Sequence, residues 1–297
     1  MKKTTMAFSA VALLFVLLSC CSSFVLGGVP TTEVEQSVVI GFDPNFVDAR
    51  AWNSENPSGT GEAVLVARFV ESLAGESVIK IEDYTDKAAW RSALWNGKVV
   101  IFIETEESTA SEMKAALSQD TRTAIKDWVR NNGGAVVFCY GESEPAQVLT
   151  GLDLTETSPG PTPSDEKRGE VEDIGPASRT SDGDASPLFG TNSSAPTEVS
   201  GIDACSPWYL GNELPARSAS LKCMYGTIDE CYLWRYADGK GAWYGVCPDF
   251  YDWGYGEDAQ DGGWMAVMEI IIGSADPTQT SSGAQLTHWV QWLAALL

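Results

Sequence analysis

A chain of 297 residues with one histidine, seven cysteines and 41 carboxylates has a short list of ways to do chemistry. The lone His288 excludes a multi-histidine metal centre and leaves one candidate for histidine-dependent catalysis. Cys139 closes the apolar run Ala135-Val136-Val137-Phe138-Cys139. A thiol becomes a useful nucleophile when a neighbouring base or cation draws off its proton. One reading therefore folds His288 back onto Cys139, as in a hydrolase. The other makes Cys139 a small apolar side chain buried at a strand end. The carboxylates form a second group. Asp43 follows one apolar run; Glu104, Glu106 and Glu107 follow another; Asp249 and Asp252 follow a third. If those runs are parallel strands, their ends gather on one edge of a sheet. There the carboxylates would bind Ca²⁺ or a cationic ligand, or hydrogen-bond a sugar, with Trp253, Tyr255 and Trp264 as stacking faces. A pair such as Glu104 and Asp249 is also the equipment of a glycoside hydrolase. The plain alternative is solvated loop carboxylates in a very acidic protein.

The elements that must position these residues follow from periodicity. Ser37 to Phe42, Ser77 to Ile81, Lys98 to Ile103 and Ala135 to Cys139 read as strands. The runs at 98–103 and 135–139 are apolar throughout, which means burial on both faces, as in a parallel sheet covered by helices. Between the strands, 61–74, 87–94 and 118–131 read as helices, the last stopped by Asn132-Gly133-Gly134. Strand and helix alternate, so the first half predicts a βαβ-wound sheet with right-handed crossovers. From about 155 to 186 the chain is rich in Pro, Gly, Ser, Thr and charge, and reads as a flexible insertion. Tyr232 to Asp249 reads as a hairpin about Asp238-Gly239-Lys240-Gly241, and Trp264 to Ile272 as a helix. Residues 276–297 read as a linker and a C-terminal helix.

The first residues read as an export signal over 1–28. Lys2 and Lys3 precede an apolar stretch, Ala10 to Leu18, too short to span a bilayer, followed by small residues. Leu17-Leu18-Ser19-Cys20 also matches a lipoprotein box loosely, with Cys20 as the lipidated residue. No other segment is long and apolar enough to cross a membrane. A secreted or extracytoplasmic location changes how the cysteines read, because disulfides persist there. No C-x-x-C spacing suggests zinc. Asp182-Gly183-Asp184 and 258–262 lack the ligand spacing of a calcium loop. No metal and no cofactor are expected. Asn192-Ser193-Ser194 is a glycosylation sequon. If the hairpin is symmetric about Gly239, Cys231 stands opposite Cys247, close enough for a disulfide. Cys205 would then pair with Cys223, and Cys139 stay reduced. The competing pairing is Cys223–Cys231, close in sequence.

Three passages resemble a known family. They run from Lys98 to Glu106, from Ala124 to Phe138, and from Gly239 to Trp253. They are similar to the class I glutamine-amidotransferase-like domains of large exported bacterial proteins. There, a strand ending in acidic residues precedes a helix closed by Gly-Gly and another strand, and a later hairpin delivers an aromatic and acidic strand end. The resemblance covers about 37–275 apart from the insertion. It implies a flavodoxin-like three-layer α/β sandwich with a mainly parallel central sheet, plus the hairpin, and places any site at the carboxyl ends of the strands. Active members carry a Gly-x-Cys-x-Gly turn and a histidine after a later strand. Here Val137 stands where the first glycine belongs, and Cys247-Pro248-Asp249-Phe250-Tyr251-Asp252-Trp253 contains no histidine.

Charge narrows the partners. With 41 Asp and Glu against 19 Lys and Arg, the net charge is −22. A nucleic-acid binder needs a basic face, and anionic lipid repels such a chain. The expectation is an exported, non-catalytic amidotransferase-like domain that binds an extracellular protein or glycan through Asp43, Glu104, Glu106, Asp249 and Asp252. The alternative is an exported hydrolase using Cys139 or the Glu104–Asp249 pair.

Overall fold

Runs that are apolar on both sides must be covered on both sides, and the strands of the first half are placed accordingly. The computed structural model describes residues 37–51, 59–73, 75–105, 109–139, 143–156, 176–192, 194–200, 207–217, 219–248 and 262–275. The chain divides into two units, Met1–Val34 and Glu35–Leu297, and every described residue belongs to the second. The first half runs β1 (Ser37–Gly41), α1 (Glu62–Ser72), β2 (Val78–Ile81), α2 (Lys87–Asn96), β3 (Gly97–Phe102), α3 (Ala110–Ala116), α4 (Gln119–Asp127), a π turn (Trp128–Asn132), β4 (Ala135–Cys139) and α5 (Ser143–Thr150). Local chemistry starts the helices. The Asp86 carboxylate accepts from Ala88 N and Ala89 N at the head of α2, and Thr109 with Glu112 forms a reciprocal capping box at α3. The expected stop after α4 is present: Gly133 has φ 89°, a left-handed conformation that a side chain would resist.

The second half adds β5 (Thr155–Glu156), β6 (Ala177–Ser178), α6 (Ser181–Ala185), β7 (Glu198–Val199), β8 (Trp208–Tyr209), α7 (Leu214–Arg217), β9 (Leu221–Gly226), β10 (Cys231–Asp238), β11 (Gly241–Val246) and α8 (Trp264–Ser274). The main sheet has the order β2-β1-β3-β4-β11-β10-β8-β5, with β9 also paired to β10. Its first five strands are parallel. The result is an α/β three-layer fold of the flavodoxin-like kind. The chain moves outward from β1 to β2 and then back past β1 to β3, so right-handed crossovers put α1 and α2 on opposite faces.

The hairpin is not an appendage. β11 lies parallel to β4, with Ala242 beside Ala135 and Val246 beside Cys139, and so forms the fifth parallel strand. One face of the sheet is lined with aromatic rings. Phe102 stands beside Phe138, Phe138 beside Gly245, and Gly245 beside Trp234; cross-strand partners share a face. Ring centroids are 5.7 Å apart for Phe102–Phe138, 6.1 Å for Phe138–Trp234, 6.2 Å for Phe138–Trp243 and 5.8 Å for Trp208–Trp234. Trp90 of α2 extends the layer over Phe102 at 5.8 Å. All of these are favourable ring separations. Gly245 has no side chain because the Trp234 indole occupies that space.

Two expectations are corrected. The stretch at 155–186 is ordered at both ends: β5 pairs with β8, β6 with β7, and Arg179 bridges to Tyr225. Few large apolar residues are needed there, because backbone pairing supplies the order. The rest of that stretch, 157–175, lies outside the described residues. The second correction concerns Cys231–Cys247. The turn has two residues, Gly239 and Lys240, closed by Asp238 opposite Gly241. An even turn puts the symmetry axis between residues rather than on Gly239, and every partner slips by one. Cys247 N therefore donates to Tyr232 O at 3.0 Å. Cys231 instead bonds Cys223 across the β9–β10 turn, with Cα atoms 5.8 Å apart, inside the range a disulfide accepts. With Cys223 taken, the expected Cys205–Cys223 pair is ruled out as well; Cys247 is also disulfide-bonded, Cys139 is not, and Cys205 lies outside the described residues. So do the residues read as an export signal, Cys20 among them, and those at 276–297 read as a linker and helix.

Two outcomes are expected. Trypsin under non-reducing conditions should release the peptide from Cys223 to Arg235 lighter by two hydrogens, because both bonded cysteines lie within it; recovery of Cys231 joined to the Cys247 peptide would refute the register. Gly245→Ala should cost about 1–3 kcal/mol by overpacking against Trp234. Gly273→Ala, with open space around it, should be neutral or stabilise by up to about 1 kcal/mol. Chemical denaturation of both variants measures the difference.

Candidate functional site

In a doubly wound sheet the strand order reverses at one point, and the loops leaving the carboxyl ends there part to opposite faces. That point lies between β1 and β3. Ile40 pairs with Ile101, so Asp43 and Glu104 each follow a matched pair by the same number of residues. The structure thus brings the ends carrying Asp43 and Glu104 together, as the sequence predicts. Glu106, Asp249, Asp252 and His288 lie outside the described residues. Among the described residues no three His, Cys, Asp or Glu side chains gather as metal ligands.

Asp43 is only 2% exposed, and its hydrogen bonds explain why a carboxylate is tolerated there. Oδ1 accepts from Asn45 N at 3.0 Å and Asn45 Nδ2 at 2.8 Å. Oδ2 accepts from Tyr84 N at 2.8 Å. Its carbonyl accepts from Phe46 N and Val47 N. Three N–H donors saturate most of what a carboxylate can accept. Asp43 is a brace that ties the β1 loop to the β2–α2 loop, with Tyr84 as the far anchor. Phe46 stacks on Tyr84 with centroids 5.2 Å apart, and Trp90 Nε1 donates to Tyr84 O at 3.1 Å. The Tyr84 hydroxyl lies over Gly41, which must lack a side chain to admit it. Burial, and then the Asp43 charge, push that hydroxyl well above the ordinary tyrosine range.

Around this brace, Pro44 to Arg50 line an open cleft of about 730 Å³. Arg50 pairs with Asp48 at its rim. Glu104 is half-buried and Thr105 is 1% exposed. Sequence reading missed the 44–50 loop and Tyr84 as parts of this edge. The turn signal Asp43-Pro44-Asn45 marks the loop; nothing local marks Tyr84.

Cys139 stands at the end of β4 beside Val246 of β11. It is completely buried. Phe138 faces the aromatic layer, so Cys139, its neighbour in the strand, faces the opposite layer.

No protein-family model matches the chain, and no curated protein matches it. Similar solved structures include a GMP synthase-type protein from Thermoplasma acidophilum, 11% identical over 80% of this chain and 92% of that one, with a TM-score of 0.44. A cytoplasmic protein from Salmonella typhimurium is 10% identical over 80% of this chain and 98% of that one, also at 0.44. A β-galactosidase from Bacillus circulans sp. alkalophilus is 11% identical over 82% of this chain but only 32% of that one, at 0.42. These scores are low, and the fold assignment rests on strand order and register.

The bracing role of Asp43 has a measurable consequence. Asp43→Asn removes the charge from bonds to three N–H groups and turns a donor toward some of them, so it should cost about 2–3 kcal/mol of stability. A carboxylate that faced solvent to meet a ligand would leave the denaturation midpoint unchanged on the same substitution.

Proposed function

We propose that this chain is an exported, non-catalytic amidotransferase-like domain that serves as a binding module, presenting the edge where β1 and β3 end to an extracellular protein or glycan. The observation that carries the reading is the burial of Cys139. A nucleophile elbow lifts its thiol out of the sheet on a strained turn that needs glycine. Here the residue two before the thiol is Val137, within β4, and the thiol packs into a covered layer. A nucleophile must reach a substrate, and a thiol enclosed in a covered layer is closed to one.

Export is supported by the basic and apolar N-terminus and by the Cys223–Cys231 disulfide, a bond that persists in oxidising compartments. Among the described residues no helix is long and apolar enough to cross a membrane. The acidity of the chain favours partners that are neutral or basic. The open cleft lined by Pro44 to Arg50, on the loop that Asp43 braces, gives such a partner a polar surface.

The expected outcome is that the purified chain releases no ammonia from glutamine beyond the Cys139→Ala variant, and that Cys139 reacts with a thiol reagent only after unfolding. Glutamine turnover abolished by Cys139→Ala would overturn the proposal.

A further inference from the structure

At the other end of the sheet, where β4 and β11 begin, lies a second cavity of about 510 Å³, within the range that holds small ligands. Its floor is the small side chains of Ala135 and Ala242, which pair in register. Leu188 and the end of α8 wall it. The charges lining it are Arg235 and Lys240; no Asp or Glu is among its described lining residues. In a chain with twice as many acids as bases that is an unexpected composition.

Neither of these two cations is committed to a carboxylate of the described residues. The hairpin's own acid, Asp238, is held by Arg130 at 2.9 Å. Arg235 makes no ion pair with any described residue. Its Nε donates to the Tyr244 hydroxyl at 3.3 Å, and its guanidinium carbon lies 6.0 Å from the centre of that ring. The outer guanidinium nitrogens, the pair that grips a carboxylate, take no partner among the described residues. Lys240 sits exposed in the turn, its backbone N–H given to Arg130 O at 2.9 Å and its ammonium in no ion pair with a described residue. Tyr244 is buried, which pushes its hydroxyl up and keeps it protonated, with the Arg235 charge opposing. An oxygen that accepts from Arg235 in this form still has its own proton to donate. Arg235, Ala242 and Tyr244 stand on one face, because Arg235 and Tyr244 are cross-strand partners and Ala242 lies two residues from Tyr244.

We propose that this cavity binds a small organic carboxylate. The anionic head meets Arg235, the Tyr244 hydroxyl and Lys240. The apolar body lies on Ala135, Ala242 and Leu188. The apolar floor and wall favour an organic anion over inorganic phosphate, and two cations are too few for a polyanion. The site is at the amino edge of the strands and is independent of the binding edge proposed above.

Calorimetric titration of the full chain with sodium hexanoate and sodium benzoate, at constant ionic strength, tests it, with inorganic phosphate as the comparison. At least one of the two carboxylates should bind saturably with Kd below about 10 mM. Arg235→Gln should weaken that binding about tenfold and Lys240→Gln by less, as a bidentate partner outweighs a point charge. Lys240→Gln changes an exposed turn and serves as the variant that keeps its fold. Absence of saturable binding to the unaltered chain would overturn the proposal. So would affinities unaltered in both variants, or phosphate binding as tightly as the carboxylates.

Discussion

The fold depends on the stacking of Phe138 between the two halves of the chain. On one side its ring meets Phe102 of β3; on the other it meets Trp234 and Trp243 of the hairpin. The βαβ half and the hairpin are separated by a long stretch of sequence, and closing such a loop costs entropy before any contact compensates it. Large rings are suited to that task, because each buries much apolar area in one placement. Gly245 completes the arrangement by leaving room for Trp234 beside Phe138. The parallel pairing of β4 with β11 follows from this joint, and with it the five-strand core that sets both edges of the sheet.

The aromatic layer has a cost. The indole N–H groups of Trp208, Trp234 and Trp243 and the hydroxyl of Tyr84 are buried without hydrogen-bond partners among the described residues. Each such group costs about 1–3 kcal/mol. The rings are placed for packing, and their polar tips are sacrificed to it. The contrast with Asp43 is instructive. A carboxylate cannot be buried on those terms, and Asp43 is surrounded by donors instead.

The two edges of the parallel strands differ in chemistry for reasons that lie in their loops. At the carboxyl edge the loops bring carboxylates, one of which is consumed in bracing β1 to the β2–α2 loop. At the amino edge the tight hairpin turn and the start of β4 bring small residues and the cations Arg235 and Lys240, while the hairpin's acid, Asp238, is held by Arg130. Cys139 ends β4 at the carboxyl edge but is enclosed there. It lies within the covered layer, where a thiol behaves as a small apolar group.

By itself the sequence determined the local elements. Continuous apolar runs specified β1, β3 and β4; spacing specified α1, α2, α4 and α8; Gly133 marked the end of the π turn; Gly239 marked the hairpin. Two-sided burial was enough to infer a parallel sheet, and so to place Asp43 and Glu104 on a common edge; the flavodoxin-like sandwich came from the family resemblance. α3 and α5 escaped notice because each is too short to display a period. The register of the hairpin was decided by the parity of its turn, and one residue there moved the disulfide partner of Cys231 from Cys247 to Cys223. The role of Asp43 was decided by Tyr84, forty-one residues away. That β11 lies beside β4 was decided by ring packing across the sheet. Periodicity reports which face of a segment is buried. It does not report against what, and partner, register and commitment of a charge are properties of the assembled sheet alone.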